Sequence, residues 1–245
     1  MALLHCEIAS KALEMATQLR VILPEEGALS QAKVLYLLHG LTDNCTGWTR
    51  YTSIERYARE RGIAVVMPEV QRSWYCDMEN GLDYFRYVSQ ELPQICHRLF
   101  GLSLEREKTY IAGLSMGGFG ALKTALTYPD RYAGVGSFSG AVDLDAILKY
   151  SQTSVLRSRE AIAIFGPDQV VGPENDLKQL ADQAKVLPEI YMSCGEQDML
   201  YGVNNDLHQR LEELHIPHRY DHRPGDHTWD FWDQSVRDCM AYLQL

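Results

Sequence analysis

The sequence predicts an α/β protein, with a mostly parallel sheet covered by helices on both faces. Five short runs carry the prediction: Val34–Leu38 (VLYLL), 63–68 (IAVVMP), Thr109–Leu114 (TYIAGL), 133–139 (AGVGSFS) and 189–194 (EIYMSC). Each is nearly continuous in apolar residues, as strands buried on both faces must be. Helical patterns lie between them, and the order β-α-β-α-β calls for parallel strands joined by crossovers. The chain before Pro24 differs: LLHCEIAS and EMATQLRVIL read as two extended stretches, forming an antiparallel hairpin at the sheet edge.

The helices follow from their spacing. Ile54, Tyr57 and Ala58 share one face, and Gly62 can close that helix. Phe85, Val88, Leu92, Ile95 and Leu99 form an apolar stripe at alternating helical steps of three and four residues. Pro93 must kink or divide that helix, because proline lacks the N–H and its ring crowds the preceding turn. Leu207, Leu211 and Leu214 form another stripe. The chain reads as one domain over 1–245, but 141–186 breaks the rhythm with short helices and two punctuations, Gly166-Pro167 and Gly172-Pro173. That segment is either an ordinary crossover or a small cap over a site.

Composition narrows the function classes. With 245 residues, 46% hydrophobic and 23% charged, the chain can bury a core without disulfides or metals. A net charge of −10 disfavours nucleic acid or an anionic membrane as partner, since both require dense Lys/Arg patches. No run approaches the ~18 apolar residues of a membrane span. The first residues lack a basic stretch, and Glu7 interrupts their apolar run, unlike a signal peptide. The six cysteines are scattered without C-x-x-C and read as reduced thiols of a cytoplasmic protein. Exposed aromatics would suit a homo-oligomer.

The chemistry begins at YIAGLSMGGFGALK. Neither the P-loop nor the G-x-G-x-x-G spacing fits its glycines. Gly113-Leu114-Ser115-Met116-Gly117 is instead G-x-S-x-G, placed after a strand and opening a helix. A serine at such a sharp turn takes a strained backbone and projects its hydroxyl above the sheet, while glycines flank it because side chains there would clash. Gly118 and Gly120 read as letting the following helix sit close to the sheet. Serine needs a base, and with this motif the partners follow in the order acid, then histidine. Asp198 falls just past the 189–194 strand, and His227 follows the turn residues Pro224-Gly225. Glu196, Asp226 and Asp230 are the rival acids.

An oxyanion hole requires two backbone donors. Met116 N–H, at a helix N-terminus, supplies one, and Leu41 N–H, after strand 34–38 and His39-Gly40, supplies the other. His39 precedes the serine and reads as loop scaffolding. Trp74, Tyr75, Tyr201 and Trp229 are candidate pocket walls. Four histidines, His215, His218, His222 and His227, crowd one stretch, but the spacing matches no zinc motif, so no metal is assigned. His218 and His222 read as alternating along an edge strand.

These residues together resemble a known group. LLHG, GLSMGG, a G-x-x-D after a late strand and HTWDFW are similar to α/β-hydrolase esterases of the "putative esterase" or esterase D type. The loop at 73–85 (SWYCDMENGLDYF) before a helix carrying ELP resembles bacterial tributyrin esterases. The likeness spans roughly 34–243 and is weaker in the N-terminal hairpin and in 141–186. S-formylglutathione hydrolases and mycolyltransferases are more distant relatives. The resemblance implies an α/β-hydrolase fold with Ser115 as nucleophile, Asp198 as acid, His227 as base, and Leu41 and Met116 as oxyanion donors. The expected function is a cofactor-independent serine carboxylesterase for small short-chain acyl esters, acetyl to butyryl, acetylated sugars and aryl esters included. A thioesterase or acyltransferase would use the same groups, and a non-catalytic binding protein on this scaffold would ordinarily lack a triad member.

Overall fold

Strands β1 (Ala2–Ser10), β2 (Met15–Leu23), β3 (Val34–Leu38), β4 (Ala64–Pro68), β5 (Thr109–Leu114), β6 (Gly134–Phe138), β7 (Glu189–Gly195) and β8 (His218–Arg223) form one sheet. The computed structural model describes residues 1–151, 155–184 and 186–245. The sheet order is β1-β2-β4-β3-β5-β6-β7-β8. β1 pairs antiparallel with β2 and β2 antiparallel with β4, and every later pairing is parallel. This is the predicted arrangement, edge hairpin included. The apolar runs are continuous because both faces are covered: along β3, Val34, Tyr36 and Leu38 enter one core and Leu35 and Leu37 the other.

The helices are α1 (Gly47–Tyr51), α2 (Ile54–Arg61), α3 (Tyr84–Arg86), α4 (Leu92–Phe100), α5 (Met116–Thr127), α6 (Leu144–Ser151), α7 (Val155–Phe165), α8 (Leu177–Gln183), α9 (Tyr201–Glu213) and α10 (Trp229–Tyr242). Gly62 closes α2 in the left-handed conformation, as its position foretold. The helix around Pro93 is divided, as its position required, and the division is made by a wider turn. A π turn, Tyr87–Glu91, joins α3 to α4, and Leu92 N–H reaches back to Tyr87 O. The wider turn adjusts the carbonyls ahead of Pro93, which sits in the first turn of α4. In the 141–186 stretch, α6 packs on α7 and α8 lies against α5; positions 152–154 and 185 lie outside the described residues. Among the described residues, no helix is long and apolar enough to cross a membrane. All six cysteines are free.

One carboxylate holds the edge hairpin to the body. Glu91 accepts hydrogen bonds from Ser10 Oγ at 2.6 Å, Lys11 N at 2.7 Å and Ala12 N at 3.1 Å. Burial pushes its carboxyl up, but these three donors outweigh burial and hold it below the ordinary range. Its contribution is therefore complete above the unfolded glutamate pKa of about 4.3 and is lost as pH falls through the lower folded value. Glu91→Gln should cost about 1 kcal/mol at pH 7, a figure already reduced for partial exposure. Denaturant melts at pH 7 and pH 3.5 should show the gap narrowing in acid.

Candidate active site

β5 runs into α5 at Ser115, whose backbone sits at φ 52°, ψ −118°. Few non-glycine residues tolerate that region, and here it aims the side chain out of the turn. The main chain is held there by the neighbouring strand: Ser115 N donates to Phe138 O at 2.9 Å, and Ser115 O accepts from Ala141 N at 3.0 Å. The flanking glycines answer close contacts. A Cβ at Gly113 would collide with Gly117 O, and one at Gly117 would lie 2.5 Å from Leu38 O. Gly118 does bring the helix close to the sheet, since a Cβ there would lie 2.7 Å from Ser137 Oγ. Gly120 has a different job: it makes room for the ring of Tyr75.

His227 Nε2 lies 3.0 Å from Ser115 Oγ, and its Nδ1 lies 2.8 Å from Asp198 Oδ2. A carboxylate can only accept, so Nδ1 carries the proton and Nε2 is free to accept from the serine hydroxyl. Asp198 lies just past the end of β7, with its side chain fully buried. Burial pushes its carboxyl up, but hydrogen bonds from His227, Leu200 N and Ser139 and the histidine's charge hold it below the ordinary range. Trp232 packs edge-on against the His227 ring, with centroids 4.8 Å apart, while its Nε1 donates to Ser139 Oγ at 3.1 Å. Two rival acids are engaged elsewhere: Asp226 accepts from His227 N, and Glu196 faces His222.

The amides of Leu41 and Met116 flank the serine, and among the described residues neither donates to a protein acceptor. The Leu41 loop is stiffly supported. His39 is buried, with Nδ1 2.8 Å from Gly40 O and Nε2 accepting from Val70 N at 3.2 Å. It is a scaffold, as its position before the serine suggested. Arg72 donates to Leu41 O at 3.3 Å and forms a two-pronged pair with Glu160 of α7.

Above Ser115 lies a cavity of about 420 Å³, within the usual range for small-ligand sites. Of the four aromatics considered as walls, Trp74 and Trp229 line it and Tyr75 and Tyr201 do not. Tyr75 is fully buried: its hydroxyl donates to His39 O at 2.9 Å and its carbonyl accepts from Lys123 Nζ at 3.1 Å, so it ties three segments together behind the site. Tyr201 turns toward His222 of β8, with centroids 6.1 Å apart. The walls that sequence reasoning missed include Leu144, Ile147 and Leu148 of α6, Ala161 and Phe165 of α7, and Asp43. The 144–147–148 spacing was a visible amphipathic signal; nothing local marked Asp43.

Among the described residues, one cluster has metal-ligand chemistry: His208 and Glu212 of α9 with His218 of β8. His218 Nδ1 faces Ile216 O at 2.8 Å, and its Nε2 is 2.7 Å from His208 Nδ1. Two nitrogens on one tetrahedral zinc would stand roughly 3.3 Å apart, so this is the geometry of a hydrogen-bonded histidine pair. His218 and His222 do share the edge strand.

Comparison with known proteins assigns the family and the fold. Residues 10–243 match the family model described as "Putative esterase". The chain belongs to that esterase family. An acetyl esterase of Caldicellulosiruptor saccharolyticus is 30% identical over 261 residues, spanning 99% of this chain and 98% of that protein. FphF of Staphylococcus aureus, a fluorophosphonate-binding serine hydrolase solved with substrate bound, superposes with a TM-score of 0.92 at 35% identity, covering 99% of this chain and 98% of its own. The S-formylglutathione hydrolase FrmB of the same organism gives 0.89 at 34% identity, with the same coverage. The fold is thus the α/β-hydrolase fold, and the family's chemistry is ester hydrolysis.

Proposed function

We propose that this esterase is a serine carboxylesterase that cleaves short-chain acyl esters through an acyl-enzyme intermediate. The observation that carries the reading is the unbroken chain Ser115 Oγ, His227 and Asp198 at the floor of an apolar cavity. His227 Nε2 takes the serine proton as Oγ attacks the ester carbonyl. Asp198 fixes the imidazole tautomer and stabilises its cation. The Leu41 and Met116 amides hold the developing oxyanion, aided by the α5 N-terminus. The leaving alcohol takes its proton from His227, and water repeats the sequence on the acyl-serine. The apolar side chains of α6 and α7 form a cap against which the acyl chain rests. Turnover of p-nitrophenyl butyrate by the wild-type chain and by Ser115→Ala tests this: an inert wild type, or a variant that keeps its rate, overturns it.

A thioesterase with the same groups is the second reading, supported by the similarity to FrmB. Comparing S-formylglutathione with butyryl esters separates the two.

Arg72 is a positioning residue in this mechanism, since it grips the carbonyl of the residue whose amide serves the oxyanion. Arg72→Met should lower kcat about tenfold with little change in KM, because a loosened donor is felt mainly in the transition state. Arg72→Lys, which keeps the charge but loses the fork, should recover only part. Steady-state kinetics on p-nitrophenyl butyrate would read both.

A further inference from the structure

Two carboxylates line the cavity, Glu160 and Asp43. Glu160 is held by Arg72. Asp43 is half-buried, yet among the described residues its carboxylate receives no hydrogen bond. Burial pushes its carboxyl above the ordinary range, with smaller opposing pulls from His39, His227 and Arg50. A half-buried acceptor that lines the cavity with no protein donor is free to take one from a bound molecule.

Its surroundings suit that role. A methyl placed on Gly40 would lie 3.2 Å from Asp43 Oδ2 and 3.6 Å from Ser115 Cβ, so the carboxylate stands beside the nucleophile across one bare glycine. A methyl placed on Gly47 would lie 3.1 Å from the Trp229 indole and 3.5 Å from Asp43 Cβ, so the indole and the carboxylate are neighbours. Trp229 follows His227 by two residues, and His227 is the group that returns a proton to the departing alcohol. Asp43 is close enough to feel the charge of His227. These groups gather on the Ser115 and His227 side of the cavity, whereas α6 and α7 contribute Leu144, Ile147 and Phe165, which offer a hydroxyl nothing.

We propose that Asp43 and Trp229 form the alcohol subsite, and that it selects esters whose leaving alcohol carries further hydroxyl groups, as polyols and sugars do, over esters whose leaving group carries a carboxylate. This rests on the esterase reading above. The carboxylate accepts hydrogen bonds from the extra hydroxyls, the indole packs on the carbon skeleton, and an anionic leaving group meets a like charge at a half-buried position.

The experiment compares glycerol monoacetate with propyl acetate, whose leaving groups share a three-carbon skeleton and differ in two hydroxyls. The wild type should favour the monoacetate in kcat/KM, and the near-isosteric Asp43→Asn should shrink that preference about tenfold, the worth of one charge-assisted hydrogen bond. Acetylated lactate, whose leaving alcohol is anionic, should move the other way and be cleaved faster by Asp43→Asn. Asp43→Ser repeats the test with a smaller side chain, and thermal melts confirm that each variant is folded. An unchanged monoacetate-to-propyl ratio, or equal losses on all three esters, overturns the proposal while leaving the esterase reading intact. A wild type inert on every ester removes both.

Discussion

Ser115→Ala should lower kcat for p-nitrophenyl butyrate by about 10⁵- to 10⁶-fold, with a KM close to that of the wild type. The loss is large because in the proposed mechanism the hydroxyl is the atom that bonds to the acyl group, while the cavity walls and the Leu41 and Met116 amides are untouched. Alanine keeps the Cβ, and the backbone at φ 52° is held by Phe138 and Ala141 rather than by the side chain. The variant should therefore fold, and its melting temperature should stay near that of the wild type. His227→Ala should cost about as much, and the double variant hardly more, because the two act as a unit. Asp198→Asn should cost about 10⁴-fold, since it spoils the tautomer but leaves the other two groups in place. Activity within tenfold of wild type in Ser115→Ala would contradict the nucleophile assignment.

Gly117→Ala should damage both stability and catalysis. The new methyl would lie 2.5 Å from Leu38 O and 2.7 Å from His39 O. Both are backbone atoms, and β3 is paired on each side, to β4 and to β5. Relief requires either the helix or the Leu41 loop to shift. A cost of about 3 kcal/mol or more is expected in denaturant unfolding. A displacement near 1 Å between Ser115 and Leu41 would cost about 100-fold in kcat. Gly120→Ala is the control: its methyl would meet the Tyr75 ring, so stability should fall while kcat falls far less. Equal losses of kcat in the two variants would show that the close approach at Gly117 does not set the oxyanion geometry.

The contrast between Trp74 and Tyr75 shows how far the sequence could be read. The central strands, the elbow and the order of Ser115, Asp198 and His227 follow from continuous apolar runs and the steric demands of G-x-S-x-G, which are local. Which of two adjacent aromatics faces the cavity is not local. Trp74 and Tyr75 both adopt left-handed backbone, with φ of 54° and 52°. Tyr75 is placed by Lys123 and Gly120, which reach it from α5. Tyr201 fails in the same way: being three residues from Asp198 says nothing about facing His222. Asp43 escaped notice because an unpaired carboxylate is recognisable only once the donors around it have been placed. The π turn before Pro93 likewise needs the packed helix to reveal it, since spacing alone allows a kink or a break.

The position of the site within the sheet also governs when it can exist. Ser115 and His227 are 112 residues apart, and two strands, β6 and β7, lie between the strand that leads into Ser115 and the strand that precedes His227. The turn at Ser115 is itself bonded to Phe138 O, at the end of β6. Closing so long a loop precedes any reward from the contacts it allows. A chain that has assembled only its N-terminal strands therefore holds neither the strained serine nor the histidine that reaches it. During refolding, regained turnover would report the docking of β8 and not the earlier collapse of the core.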